Sequence, residues 1–468
     1  AGSSVLNLTQ GTYDLGSATV GTSFPSFGTI NISSGTTIEY GAAVAQTINP
    51  TLSYQNLLVT GAVGKSIADG STVSIAGNLT MNVASQTLNL GTGTYTIAGN
   101  LVSTAGTIDA DSSTITLSGN ISGAGTINGD TGTLIFTGGG TQTVGATTQT
   151  YNNITVTKTA GTSASLTVAA TINGALTVTT GTFGIGGIIL THNGTTSVSG
   201  TLSINSVTGT KTFVGNVIIN SGGVLDNNAS EAITLRGGLT NNGATFTAGT
   251  GVHTFDTSNQ DIGGSSAISI PSVTVTIIAL TNNSSVGLTV GTALSGTGSF
   301  TQGTNALLNI GGTSGITTFT ASASGNTVNY TDTGAQTVKS PTTYYYNIGL
   351  SGSGVKTLTG IDSNVLGNFT TSGTITGTTA ASITIGGNLT IGSGTTLTVG
   401  SFAFGVDGTT SVSGTLAHTT DAGDNLKYYN AVTIESGGSW TNAANEAINF
   451  RNSLTHNGTT FSSGSGVY

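Results

Sequence analysis

The residue types able to do acid–base, metal or nucleophilic chemistry are few in this chain and set far apart. The four histidines are His192, His253, His418 and His456. None stands at a zinc-ligand spacing such as H-E-x-x-H, so each reads as an isolated turn histidine. Asp109-Ala110-Asp111 places two carboxylates on one strand face, and Asp421 and Asp424 are set to approach each other across a turn. Either pair has the form of an acid/base couple or a calcium site. Calcium, however, draws its oxygens from a denser acidic loop, and the Gly-Gly-x-Gly-x-Asp repeat of calcium-binding β-rolls is missing. These acids read as solvated turn residues. There is no cysteine, so thiol chemistry and disulfides are excluded. Gly-x-Gly strings such as Gly91-Thr92-Gly93 and Gly123-Ala124-Gly125 lack the Gly-Lys-Ser/Thr of a phosphate loop. No catalytic residue, metal site or cofactor is expected, and the chain does not read as an enzyme.

Charge points the same way. Charged residues make up 5% of 468 residues and the formal net charge is −9. Lys65, Lys158, Lys211, Lys339, Lys356 and Lys427 lie far apart, as do Arg236 and Arg451. Nucleic-acid binding needs clustered cations to neutralise phosphates, so no such partner is expected. No apolar run is long enough for a membrane-spanning helix. A polysaccharide-cleaving β-helix is the enzymatic alternative, and it needs several charged residues converging in a groove. Nothing in the spacing marks that convergence.

The elements that position these residues are short strands. Apolar residues alternate with polar ones in runs such as Thr72-Val73-Ser74-Ile75 and Ser113-Thr114-Ile115-Thr116-Leu117, which is the period of a half-buried strand. Helical periodicity is absent. The 74 glycines, with asparagine, supply turns between the runs. Two repeats overlay this pattern. Gly-Asn-apolar recurs at Gly77-Asn78-Leu79, Gly99-Asn100-Leu101 and Gly119-Asn120-Ile121, in steps of 22 and 20, and again at Gly367-Asn368-Phe369 and Gly387-Asn388-Leu389. The longer repeat is an aromatic, a polar stretch, then Gln and an apolar residue two further on. Its copies are Tyr40…Gln46, Phe136…Gln142, Phe255…Gln260 and Tyr330…Gln336. In three of them a tyrosine strand follows, at Tyr54, Tyr151 and Tyr345; the third has Ile270-Pro271-Ser272-Val273 instead.

The spacing of those glutamines decides between two all-β architectures. They lie 96, 118 and 76 residues apart (142 − 46, 260 − 142, 336 − 260). Tandem β-sandwiches would keep a near-constant length, because their strand number is fixed. A solenoid gains or loses one coil of about 20 residues without exposing new core. The expectation is therefore one continuous, elongated parallel β-helix over residues 1–468, of roughly 20 coils, with tandem sandwiches as the alternative. Residues 194–253 recur at 408–468, carrying Glu231…Arg236 as Glu446…Arg451. That pair is either an ion pair fixing a corner or a by-product of duplication. Thr-x-Thr recurs unevenly, at Thr114, Thr155, Thr177 and Thr396 among others, and predicts no flat hydroxyl lattice. Tyr344-Tyr345-Tyr346 and Tyr428-Tyr429 suit a glycan platform, an interface anchor or burial.

Segments such as Leu239-Thr240-Asn241-Asn242-Gly243 and Gln142-Thr143-Val144…Tyr151-Asn152-Asn153-Ile154 resemble the large bacterial β-strand-repeat surface proteins and adhesins. The resemblance implies an exported protein at the cell surface, in a sheath, fibre or adhesin, and brings no catalytic residue with it. Functionally, the expectation is an extracellular structural protein whose copies join head to tail by strand addition into a filament or surface array. The second long repeat reaches Tyr468 where the first continues with Thr254-Phe255-Asp256. The expected interface is Val5, Leu6 and Leu8 at one end and Phe461, Val467 and Tyr468 at the other. Partners are then other copies of the chain, with glycan or another cell surface as the adhesin alternative.

Overall fold

The computed structural model describes residues 4–16, 24–145, 147, 149–358, 365–419 and 426–466. The chain is all-β, a parallel β-solenoid of about 21 turns. The described strands pair in parallel, each with the strand about one coil before or after it, as in Leu79↔Leu101 and Phe369↔Leu389. Sandwiches are built from antiparallel ladders, so the solenoid expectation holds and the alternative falls. No helix of the described residues is long and apolar enough to cross a membrane.

The contacts divide the chain into two compact units. The first comprises Ala1–Thr234 with Asn242–Gly249, the second Leu235–Asn241 with Thr250–Tyr468. In the first unit an aliphatic ladder climbs the core. Ile38, Leu57, Leu79, Leu101 and Ile121 are successive register partners, and none is more than 1% exposed. Burying each such side chain contributes about 1.5–3 kcal/mol. Strand alternation sends the intervening residues outward, as in Thr94–Ile97, where only Tyr95 and Ile97 are buried.

The Gly-Asn repeat is the corner of this stack. The side-chain oxygen of Asn56 accepts from the Asn78 amide at 3.0 Å, that of Asn78 from Asn100 at 2.8 Å, and that of Asn100 from Asn120 at 2.8 Å. The ladder satisfies backbone donors that the strand pairing leaves free at the bend. Glycine precedes Asn78, Asn100 and Asn120 because the main chains nearly touch. A Cβ on Gly119 would sit 2.2 Å from the Gly99 oxygen. The second unit repeats the device through Asn347, Asn368 and Asn388.

In the second unit three walls are distinct. One begins at Gln336–Thr337 and runs to Thr460–Ser462, a second comprises Ile383–Ile385, Phe404–Val406, Leu426–Tyr428 and Ile448–Phe450, and a third climbs from Phe369–Thr371 to Leu454–His456. Between them Trp440 lies fully buried, with ring centroids 5.1 Å from His418, 5.2 Å from Tyr428 and 5.4 Å from Phe450. Thr-x-Thr proves more regular than its sequence spacing. Thr72, Thr94, Thr114 and Thr133 stand in register, as do Ser74, Thr96 and Thr116, because coils of unequal length still align their strands. Ile135 then ends the second row.

Candidate functional site

The repeated glutamines are interior clamps. Gln46, Gln142, Gln260 and Gln336 are all buried. Each carboxamide donates back to main-chain carbonyls of an earlier segment. Gln336 Nε2 reaches Ile310 O and Gly312 O at 2.8 Å each, and Gln260 Nε2 reaches Leu235 O at 3.0 Å and Asp256 O at 2.7 Å. Their carbonyls accept from local donors, Gln260 from Gly238 N at 3.0 Å and Gln46 from Ala42 N at 3.1 Å.

Lysines complete the clamps, which the wide spacing of cations did not suggest. Lys158 Nζ donates to Gln142 Oε1 at 2.6 Å and to Thr137 O at 3.0 Å. Lys356 Nζ donates to Gln336 Oε1 at 3.2 Å and to Asp332 O at 2.6 Å. Lys65, the register partner of Gln46, caps Ala42 O, Val44 O and Val63 O. Lys65, Lys158, Lys211 and Lys356 are all buried. Burial pushes each below the ordinary lysine range; for Lys211 the neighbouring Glu231 opposes that shift. These stems are apolar, so only the ammonium needs partners, and carbonyls at the bends provide them.

The turn-histidine expectation needs correction. His192, His253 and His418 lie in strands and are buried; only His456 is exposed. His192 places Nδ1 2.8 Å from Thr196 Oγ1 and Nε2 3.0 Å from Gly174 O. Burial lowers all three to about 4. The repeated Glu…Arg pair does not pair with itself. Glu231 lies 3.7 Å from Lys211, Arg236 Nε bonds Asp256 at 2.8 Å, and Arg451 sits 4.5 Å above the Tyr429 ring. Asp109 and Asp111 do not share a strand face. Asp109 ends its strand and its Oδ1 accepts the Asp111 amide at 3.2 Å, while Asp111 turns with φ of 51°. Asp421 and Asp424 lie outside the described residues. No cluster of three His, Asp or Glu that would hold a metal occurs among the described residues.

The tyrosines divide by neighbour. Tyr345 and Tyr428 are fully buried, whereas Tyr344 and Tyr346 are half-buried and Tyr429 is 37% exposed. In the fourth long repeat the hydroxyls of Tyr330 and Tyr345 meet at 2.7 Å. Tyr330 Oη accepts the Lys339 amide at 3.0 Å and Tyr345 Oη donates to Lys339 O. Two hydroxyls thus fix both polar groups of one peptide residue. In the first repeat Tyr40 and Tyr54 hold Asn49 the same way, at 3.0 and 2.7 Å.

Lys339 so fixed is one lip of the main candidate site, a surface cleft of about 510 Å3 in the second unit. The wall opens here for a topological reason. Thr313–Thr320 pairs with the earlier strand Leu288–Gln302, and Gln336–Thr337 pairs with the later Ser353–Leu358. These two strands belong to different sheets and are not register partners among the described residues. The gap is lined by Ser295, Thr313, Ser314, Asp332, Gln336 and Lys339, among others. Asp332 Oδ1 accepts the Gly334 amide at 3.0 Å, which orients its carboxylate. Ser314 Oγ is buried and makes no hydrogen bond. Gly315, on the same wall, has open space where a Cβ would stand.

The residues expected to join copies are unequally placed. Val5 is 54% exposed, but Leu8 is buried, and Val5–Leu8 already pairs with Thr29–Ile32. Phe461 is half-buried, with its ring 6.4 Å from Trp440. Val467 and Tyr468 lie outside the described residues. Compared with protein-family models, curated proteins and solved structures, this repeat-rich β-solenoid matches none.

Proposed function

We propose that this chain is a non-catalytic structural repeat segment of an exported surface protein. The observation that carries the reading is the internal use of its scarce charge. Four of its lysines cap main-chain carbonyls or glutamine side chains inside the solenoid, and Arg236 is bound to Asp256. Ionisable groups held this way stabilise bends and do not converge on a substrate. Low charge and hydroxyl-rich outer strands suit an extracellular scaffold. Incubation with a panel of polysaccharides tests this. No cleavage is expected, and turnover lost on Asp109→Asn would overturn it.

The finer reading is assembly of copies by strand addition. What supports it is the Val5–Leu8 strand, whose apolar Leu6 and Leu8 fall on one face, the alternation that strand addition needs. Negative-stain microscopy of the purified chain should show fibres that deletion of residues 4–9 abolishes; fibres of unchanged length after deletion would refute the assembly. Single short rods would favour the rival reading, a binding module that presents one of its walls to a glycan.

A further inference from the structure

We propose that the cleft between Thr313–Gly315 and Gln336–Lys339 binds a short neutral oligosaccharide. The proposal deepens the binding-module reading and rests on it, leaving the structural reading to be judged separately by microscopy.

Three observations point to this ligand class. The walls carry the hydroxyls of Thr313, Thr337 and Ser340 and main-chain groups beside the apolar Ala335 and Val338, with one carboxylate, Asp332, and one ammonium, Lys339. The formal charge of the lining is therefore zero, which disfavours phosphates and polyanions, while a single carboxylate is too few for a metal. A volume of about 510 Å3 falls within the range of small-molecule sites, which run from about 300 to 1,000 Å3. The lips are held rigid before any ligand arrives: Lys339 by the tyrosine pair and Gln336 by two carbonyls.

The chemistry is complementary. Sugar hydroxyls both donate and accept, as do the groups lining this cleft. A carboxylate such as Asp332 accepts from two adjacent hydroxyls, and Lys339 donates to a ring or hydroxyl oxygen. The corresponding lips of the other long repeats do not offer this. Where the fourth repeat has Lys339, three residues beyond its glutamine, the others have Asn49, Gly145 and Gly263. No bond is made or broken in this proposal; the site recognises and holds.

The test uses the full chain and ligand-observed saturation-transfer NMR with cellobiose, maltose, lactose and N,N′-diacetylchitobiose, and with inorganic phosphate as the anionic probe. At least one disaccharide should bind and phosphate should not. Gly315→Leu fills the cleft from a position with open space around it, so it should leave the fold intact and weaken binding by about tenfold or more. Lys339→Met should weaken it less, because it removes one donor and keeps the stem. Binding of phosphate alone, no binding of any disaccharide, or unchanged binding in a folded Gly315→Leu chain would each overturn the proposal.

Discussion

The second and fourth long repeats bury the same glutamine and the same tyrosine, yet only one of them satisfies its polar groups. In the fourth, Tyr345 shares its hydroxyl with Tyr330 and closes on Lys339. In the second, Phe136 stands where Tyr330 would be, and the Tyr151 hydroxyl is buried with no partner. Both tyrosines are about equally buried. The difference lies in one oxygen atom fifteen residues away (151 − 136 and 345 − 330). Stacking apolar residues is forgiving in a solenoid; pairing buried polar atoms is not, because each requires one specific partner.

The sharpest way to break this comparison is at the clamp itself. Gln336→Leu leaves Ile310 O, Gly312 O and the Asp332 amide without their side-chain partner and takes an acceptor from Lys356. A loss of about 3–5 kcal/mol in local stability is expected. Gln260→Leu should cost less, because its Oε1 serves the Gly238 amide and no lysine. A long repeat array does not unfold in two states, so the readout is amide exchange of the flanking strands. Equal effects at the two glutamines would show that the lysine adds nothing.

Acid sharpens the same contrast among the histidines. Burial holds His192, His253 and His418 at about 4, whereas an unfolded histidine titrates near about 6.5. Between those values the unfolded chain binds more protons. Stability is therefore full above about pH 6.5 and is lost progressively as pH falls towards 4, by about 3 kcal/mol per histidine. His418→Phe should remove one share of that dependence at a smaller cost near neutrality, since Nδ1 has no hydrogen-bond partner and Nε2 meets only the Tyr428 hydroxyl, at 3.4 Å. His192→Phe should also flatten the curve but destabilise at pH 7, because Thr196 and Gly174 lose their partner. Protection factors, corrected for the intrinsic pH dependence of amide exchange, that stay constant between pH 7 and 5 would contradict both.

How much of this was legible from the chain follows from what each residue needs. Leu79, Leu101 and Ile121 could be stacked on spacing alone, because a core position needs only an apolar side chain once per coil. The Gly-Asn corners were visible as a repeat, though not the side-chain ladder that causes it. The lysines read only as widely spaced cations, since sequence distance says nothing about carbonyls lying one coil away. The histidines were misread for a related reason: Thr196 and Gly174 are ordinary residues that become partners only when the coil closes. The cleft was invisible, because it arises where two strands about twenty residues apart are not paired, and no residue type announces a missing ladder.

Tyr345→Phe against Tyr151→Phe is the finer test. The first removes the donor to Lys339 O and the acceptor from Tyr330, and should cost about 1–3 kcal/mol, seen as faster exchange of the Lys339 amide. The second removes a hydroxyl that has no partner. Its expected effect is smallest and opposite in sign, from neutral to about 1 kcal/mol stabilising, with protection of the Asn153–Thr157 strand unchanged or improved. If Tyr151→Phe were instead as harmful as Tyr345→Phe, the Tyr151 hydroxyl would have to be bonded in solution, and the two repeats would be alike after all. Phe136→Tyr then decides why. Its added hydroxyl can pair with Tyr151, but the residue three beyond Gln142 is Gly145, whose amide is already turned towards Ile121 O at 3.4 Å. A partial gain, smaller than the loss in Tyr345→Phe, would show that the tyrosine pair stabilises chiefly through the peptide group it encloses.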